Sequence, residues 1–156
     1  PSISSIYRYS TISRLKQESV AEHSYFVTFI SSLLYDKYKD KYSINFQKMI
    51  KIAMIHDFDE IITGDMVYDA KYLKGININF EKEKIIRDIF GINGNSVRIY
   101  KDYLKKRSIE SNIVKFADWI SMYIYCLNEV KMGNKHFDKL IIVTKEKIKE
   151  FLDEFR

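Results

Sequence analysis

The sequence predicts an all-α fold, and three observations carry that prediction. Proline occurs once, at position 1, and glycine five times in 156 residues, so few breakers interrupt the interior. Apolar residues recur at helical spacing, as in Val27, Ile30 and Leu34. No alternation of apolar and polar residues runs beyond a few positions, which leaves no good strand.

The elements follow in order. Ser19 is placed to cap a long helix running to about Lys39, with His23 in its first turns. Asn45 caps a second helix, which carries Met49, Ile52, Ala53 and His56. From Asp57 to Gly75 the pattern reads as a loop with at most a short helical turn. A third helix is expected from Phe80 to Phe90, stopped by Gly91, and a fourth from Asn95 to about Lys106. The fifth runs from Ser108 to Lys131 with Asp118 mid-span and Gly133 behind it. The last covers Phe137 to Phe155. No repeat, low-complexity tract or linker divides the chain, so the expectation is a single domain over residues 1–156, built of about six helices.

Composition narrows the class. Charged residues at 30% and hydrophobic ones at 46% describe a soluble globular chain long enough to bury a core. No stretch approaches the ~18 uninterrupted apolar residues of a membrane span, and the start lacks a signal-peptide pattern. Because the first residue is Pro1, the natural start is expected to be processed or to lie upstream. Cys126 stands alone, which excludes an internal disulfide, suits a reducing cytoplasmic setting and reads as a buried small hydrophobe. The net charge of +5 comes mostly from lysines scattered among acids and tyrosines, as at Lys37, Lys39 and Lys41 or Lys145, Lys147 and Lys149. That is a solvated surface, not a nucleic-acid face, although it can help attract a small anion.

His56-Asp57 is the most informative pair. It ends the apolar run Met49–Ile55 and precedes an acidic turn containing Asp59, Glu60 and Asp65. Imidazole beside carboxylate suits Mn²⁺, Co²⁺, Fe²⁺ or Zn²⁺. Two ligands do not make a site, and only three histidines are present. His23 lies 33 residues upstream of His56, and Asp118 lies 61 downstream of Asp57. The order His…His-Asp…Asp on successive helices resembles the HD-domain phosphohydrolases. Neighbouring helical residues diverge by about 100°, so His56 and Asp57 can share a metal only where the chain leaves its helix. Two imidazoles and two carboxylates nearly neutralise a 2+ ion and leave positions for water and a phosphate oxygen.

The resemblance extends further. Glu18-Ser19-Val20-Ala21-Glu22-His23-Ser24 looks like the Glu-Asn-Val-x-Glu-His-Ser motif of YfbR-like HD-domain 5′-deoxynucleotidases, with Ser19 where the family favours Asn. His56-Asp57-x-x-Glu60-x-x-x-Gly64-Asp65 is similar to that family's second motif, and Lys71-Tyr72 matches its tail. Val67 stands where Pro is common. Tyr125-Cys126-Leu127-x-Glu129 and Gly133-Asn134-x-x-Phe137 resemble the stretch after the last ligand. Arg8-Tyr9 stands where the family has Arg-Trp. The middle, Gly75 to Tyr100, matches only as a helical spacer.

What the resemblance implies is specific. His23, His56, Asp57 and Asp118 would ligate one divalent ion, among Mn, Co, Zn, Fe and Mg. Glu60 would be the catalytic acid–base, Arg8 would orient the phosphate and Asp65 would accept from the sugar hydroxyl. Tyr9, smaller than Trp and bearing a hydroxyl, is expected to weaken discrimination between deoxyribose and ribose. The expected activity is hydrolysis of nucleoside 5′-monophosphates by a homodimer, with a small-molecule nucleotide as partner and no stable nucleic-acid or membrane complex. Two alternatives stay open: another HD phosphohydrolase acting on cyclic nucleotides or oligonucleotides, and a non-catalytic ligand-binding HD protein.

Overall fold

In a computed structural model the described residues are 2–64, 78–91 and 94–155. The helices are α1 (Val20–Tyr38), α2 (Phe46–Ile55), a single turn α3 (Glu60–Thr63), α4 (Ile78–Phe90), α5 (Asn95–Leu104), α6 (Ile109–Lys131) and α7 (Asp138–Glu154), with short 3₁₀ turns at Ile3–Ser5 and Lys135–Phe137. There is no strand among the described residues; an isolated bridge pairs Tyr7 with Ser19. The all-α expectation holds, with six longer helices and one short turn among the described residues.

Local chemistry sets the boundaries. Ser19 accepts from the Glu22 backbone N–H while Glu22 Oε2 accepts from the Ser19 N–H, a reciprocal cap that starts α1 three residues before His23. Asn45 caps α2 through the Lys48 N–H, and Ser108 caps α6 through the Ser111 N–H. Gly91 and Gly133 follow α4 and α6 at φ 82° and 97°, the left-handed region that glycine enters without steric cost. The segment 65–77, which contains Asp65 and Lys71-Tyr72, lies outside the described residues.

The core forms where α1, α2 and α6 meet. Val27, Ile30 and Leu34 pack with Met49, Ile52 and Ala53 and with Ile113, Val114, Phe116 and Ala117. Each set recurs at three- and four-residue steps, so one stripe of each helix turns inward. Phe151 of α7 stacks on Phe116 at 4.0 Å and closes the outer side. The three helices whose stripes build this core are the ones that bear His23, His56 and Asp118. No helix among the described residues is long and apolar enough to cross a membrane.

Candidate active site

His23 projects from the first turn of α1 and is fully buried. His56 sits at the end of α2, its backbone still helical, and Asp57 follows in the turn. This is where the chain is free to bring adjacent side chains to one point: Asp57 Oδ2 lies 3.2 Å from His56 Nε2 and 3.5 Å from His23 Nε2. Asp118 arrives from mid-α6, Oδ1 at 3.2 Å from His23 Nε2. The two Nε2 atoms are 3.3 Å apart. The side chains of His23 and His56 are 0% exposed and that of Asp118 8%, whereas Asp57 keeps 19%, so the cluster opens to solvent on the Asp57 side.

The surroundings prepare these donors. His56 Nδ1 lies 2.8 Å from the Ala53 carbonyl; donation there fixes the ring and turns Nε2 to the cluster. Burial alone would raise the Asp57 carboxyl, but His56 and His23 hold it well below the usual carboxylate range. Asp118 is likewise raised by burial and overcome by Lys115, whose Nζ pairs with Oδ2 at 2.6 Å and leaves Oδ1 facing the histidines. Burial and the nearby Arg8 charge lower the His23 imidazole and favour its neutral, ligating form. In His56 burial opposes charge, but Asp57 outweighs it and raises the ring.

Glu60 is the first residue of α3, 4% exposed, held one turn beyond His56 by its N–H to the Asp57 carbonyl. The adjacent Asp59, 0% exposed, does not cap this turn. Its carboxylate accepts from the Tyr100 hydroxyl at 2.5 Å and pairs with Lys82 at 2.6 Å. These bonds tie the Asp57–Glu60 turn to α5 and α4. Burial opposes the charge on Lys82, yet Asp59 and Asp57 raise it, so it stays cationic beside the acidic turn.

Arg8 is 5% exposed, pairs with Glu18 at 2.8 Å and reaches His23 Nδ1 at 2.9 Å. Tyr9 lies below it, with the guanidinium carbon 4.8 Å from the ring centroid. Tyr9, expected to bear on the sugar, packs into the interior. Its ring stacks on Tyr125 at 4.8 Å and meets Phe137 edge-on at 5.3 Å, and its hydroxyl is buried. Tyr9 therefore meets the site through Arg8. Its φ of 57° is rare for a bulky residue and is held by the Arg14 guanidinium, which donates to its carbonyl at 2.8 Å.

The sequence reading missed Ser121, Lys115, Asp59, Lys82 and Tyr100. Glu18 and Glu129 were named only as motif letters, and both hold the Arg8 segment. Asp102 pairs with Lys48 at 3.0 Å. His136 is exposed, and Cys126 is fully buried, as read for that cysteine from the sequence.

Residues 2–155 match the model of the YfbR-like 5′-deoxynucleotidases. The chain belongs to that family. A 5′-deoxynucleotidase of Pectobacterium atrosepticum is 30% identical over 141 residues, which cover 85% of this chain and 71% of that protein. A conserved hypothetical protein from Pyrococcus furiosus is 30% identical, with a TM-score of 0.80 over 98% of this chain and 90% of its own. An HD-domain phosphohydrolase from Listeria innocua, 20% identical, shares the fold at a TM-score of 0.79 over 97% of this chain and 77% of its own. Family membership makes this chain a phosphohydrolase of the HD type.

Proposed function

We propose that the chain, one HD domain over residues 1–156, hydrolyses nucleoside 5′-monophosphates, deoxynucleotides included, to nucleoside and phosphate. The observation that carries this reading is the convergence of His23, His56 and Asp118, with ligand atoms all within 4.8 Å of one another, beside Asp57, buried Arg8 and buried Glu60. Donors about 2.0–2.2 Å from one ion stand roughly 3–4 Å apart, and the separations of 3.2 to 3.5 Å fit that sphere. The donor set suits one divalent ion, among Mn, Co, Fe, Zn and Mg. When bound, such an ion activates water and polarises the phosphoryl group.

The chain's own residues divide the rest of the work. Arg8 offers a guanidinium that can hold two phosphate oxygens at once. Glu60 exchanges a proton with the attacking water or the leaving 5′-oxygen. Asp65 accepts from the sugar hydroxyl. Tyr9 serves the substrate as the platform under Arg8. A homodimer in the cytoplasm completes the proposal; Tyr25, Phe29 and Leu33, spaced by four on α1 and 75%, 49% and 54% exposed, form an apolar stripe that a second copy would cover.

The test is a screen of ribo- and deoxynucleoside 5′-monophosphates against Mn²⁺, Co²⁺, Mg²⁺ and Zn²⁺, with para-nitrophenyl phosphate beside its bis-ester. Monoester turnover is expected. Preference for the bis-ester would favour a phosphodiesterase, and no turnover with any metal a ligand-binding protein.

A further inference from the structure

Glu60 stands on the least self-sufficient element of the chain. The helix α3 is one turn of four residues, and a single turn pays the cost of nucleation for too few backbone bonds to persist alone. Asp59, directly before it, makes no side-chain cap to that turn. The direction of Glu60 is therefore imposed from outside α3. The contacts that impose it come from the two positions that the His56-Asp57-x-x-Glu60 motif leaves open. Phe58 packs against the buried cluster of Ile86, Val97 and Tyr100, its ring 5.3 Å from that of Phe90. Asp59 is fully buried; Oδ1 accepts from the Tyr100 hydroxyl at 2.5 Å, and Oδ2 pairs with Lys82 Nζ at 2.6 Å. Apolar packing is non-directional, whereas a carboxylate with a donor on each oxygen is held in one orientation. A buried ion pair adds little stability over apolar packing, so what this one supplies is geometry.

We infer that Asp59 is a positioning residue for Glu60, anchored by Tyr100 and Lys82, and that α4 and α5 serve the reaction by fixing the α3 turn. Asp59 acts through its own backbone. Its carbonyl accepts from the Ile62 and Thr63 N–H groups at 3.0 and 3.2 Å, so a rotation of Asp59 carries the turn with it. Glu60 is the next residue and turns too. Tyr100 is fully buried and the Lys82 side chain is 11% exposed, which keeps both anchors in place on their own helices. This inference rests on the acid–base role proposed for Glu60.

The experiment pairs amide hydrogen exchange with kinetics on the full chain, using Tyr100→Phe and, as a second variant, Lys82→Met. In each, the Thr63 and Gly64 amides are expected to exchange about 10-fold faster, while Val27 on α1 and Val114 on α6 keep their rates. With deoxyadenosine 5′-monophosphate and Mn²⁺, kcat should fall about 10-fold and KM stay within about twofold. In a Glu60→Ala background the same substitutions should cost nothing further, because the group they aim is gone. Lys82→Arg, which keeps the charge, should restore most of the loss seen in Lys82→Met. Unchanged exchange in both variants would overturn the anchoring. An equal loss of kcat in the Glu60→Ala background would overturn the positioning of Glu60. Wild-type turnover in Glu60→Ala alone would instead overturn the acid–base reading beneath the inference.

Discussion

At Glu60 a carboxylate is kept almost out of water one turn beyond His56, and its proposed role is proton transfer. Glu60→Ala is expected to lower kcat by roughly 10²–10⁴-fold, the range for a general acid–base, while leaving metal uptake unchanged. Kinetics paired with elemental analysis checks this, and loss of the ion together with activity would make Glu60 a ligand. Cys126 makes the opposite case, a reactive group made inert by its surroundings. Burial pushes its thiol up to about 12, so the thiolate is scarce near neutral pH. Iodoacetamide should label it only after unfolding, and prompt labelling of the native chain would contradict that.

Among the elements, the one needing most support is the N-terminal segment, which has no regular secondary structure around Arg8. It is held where α6 ends. Glu129, fully buried, accepts from the Leu15 and Lys16 backbone N–H groups at 2.9 and 2.8 Å and from Asn134 Nδ2 at 2.6 Å. Tyr125 and Phe137 grip Tyr9, and the Tyr125 hydroxyl donates to the Lys16 carbonyl at 2.5 Å. The motif that follows Asp118 is therefore a clamp on the segment that carries Arg8. Glu129→Ala strips three donors of their acceptor and should cost about 2–4 kcal/mol, read from urea melts. Burial would raise the Glu129 carboxyl, but the Leu15 N–H and Asn134 hold it below the ordinary value. A depressed carboxylate stabilises the fold above its unfolded pKa of about 4.3, and that contribution is lost as pH falls through the lower folded value. Acid melts of Glu129→Gln should show a shallower decline; an unchanged slope would assign the acid sensitivity elsewhere.

Across the whole molecule, the proposed metal ties together α1, α2 and α6, which are distant in the chain but share one core. Metal at 100 times its Kd adds about 2.7 kcal/mol, which for a chain of this size is roughly 5–10 °C in Tm. Calorimetric scans with metal and with chelator should show that gap, and Asp57→Ala should abolish it while keeping helicity. One ion per chain is expected by elemental analysis; two would overturn the single-ion site.

Much of this was legible in sequence because it is local. Ser19, Asn45 and Ser108 cap through bonds to residues three positions on, and Gly91 and Gly133 act through their own backbone angles. The apolar stripes needed only the helical period. The proposed ligands were legible as a motif order, since His56 and Asp57 are adjacent and the others sit in short distinctive contexts. Long-range packing decided the rest. Ser121 meets His23 across 98 positions and Tyr100 meets Asp59 across 41, and neither approach leaves a periodic or spacing signal. Tyr9 shows the same limit: its adjacency to Arg8 is visible in sequence, but not that its ring stacks on Tyr125 and meets Phe137 edge-on. Sequence alone determined which groups could do the chemistry. Tertiary structure decided which atoms of those groups face one another, because hydrogen-bond partners and burial are properties of the packed chain.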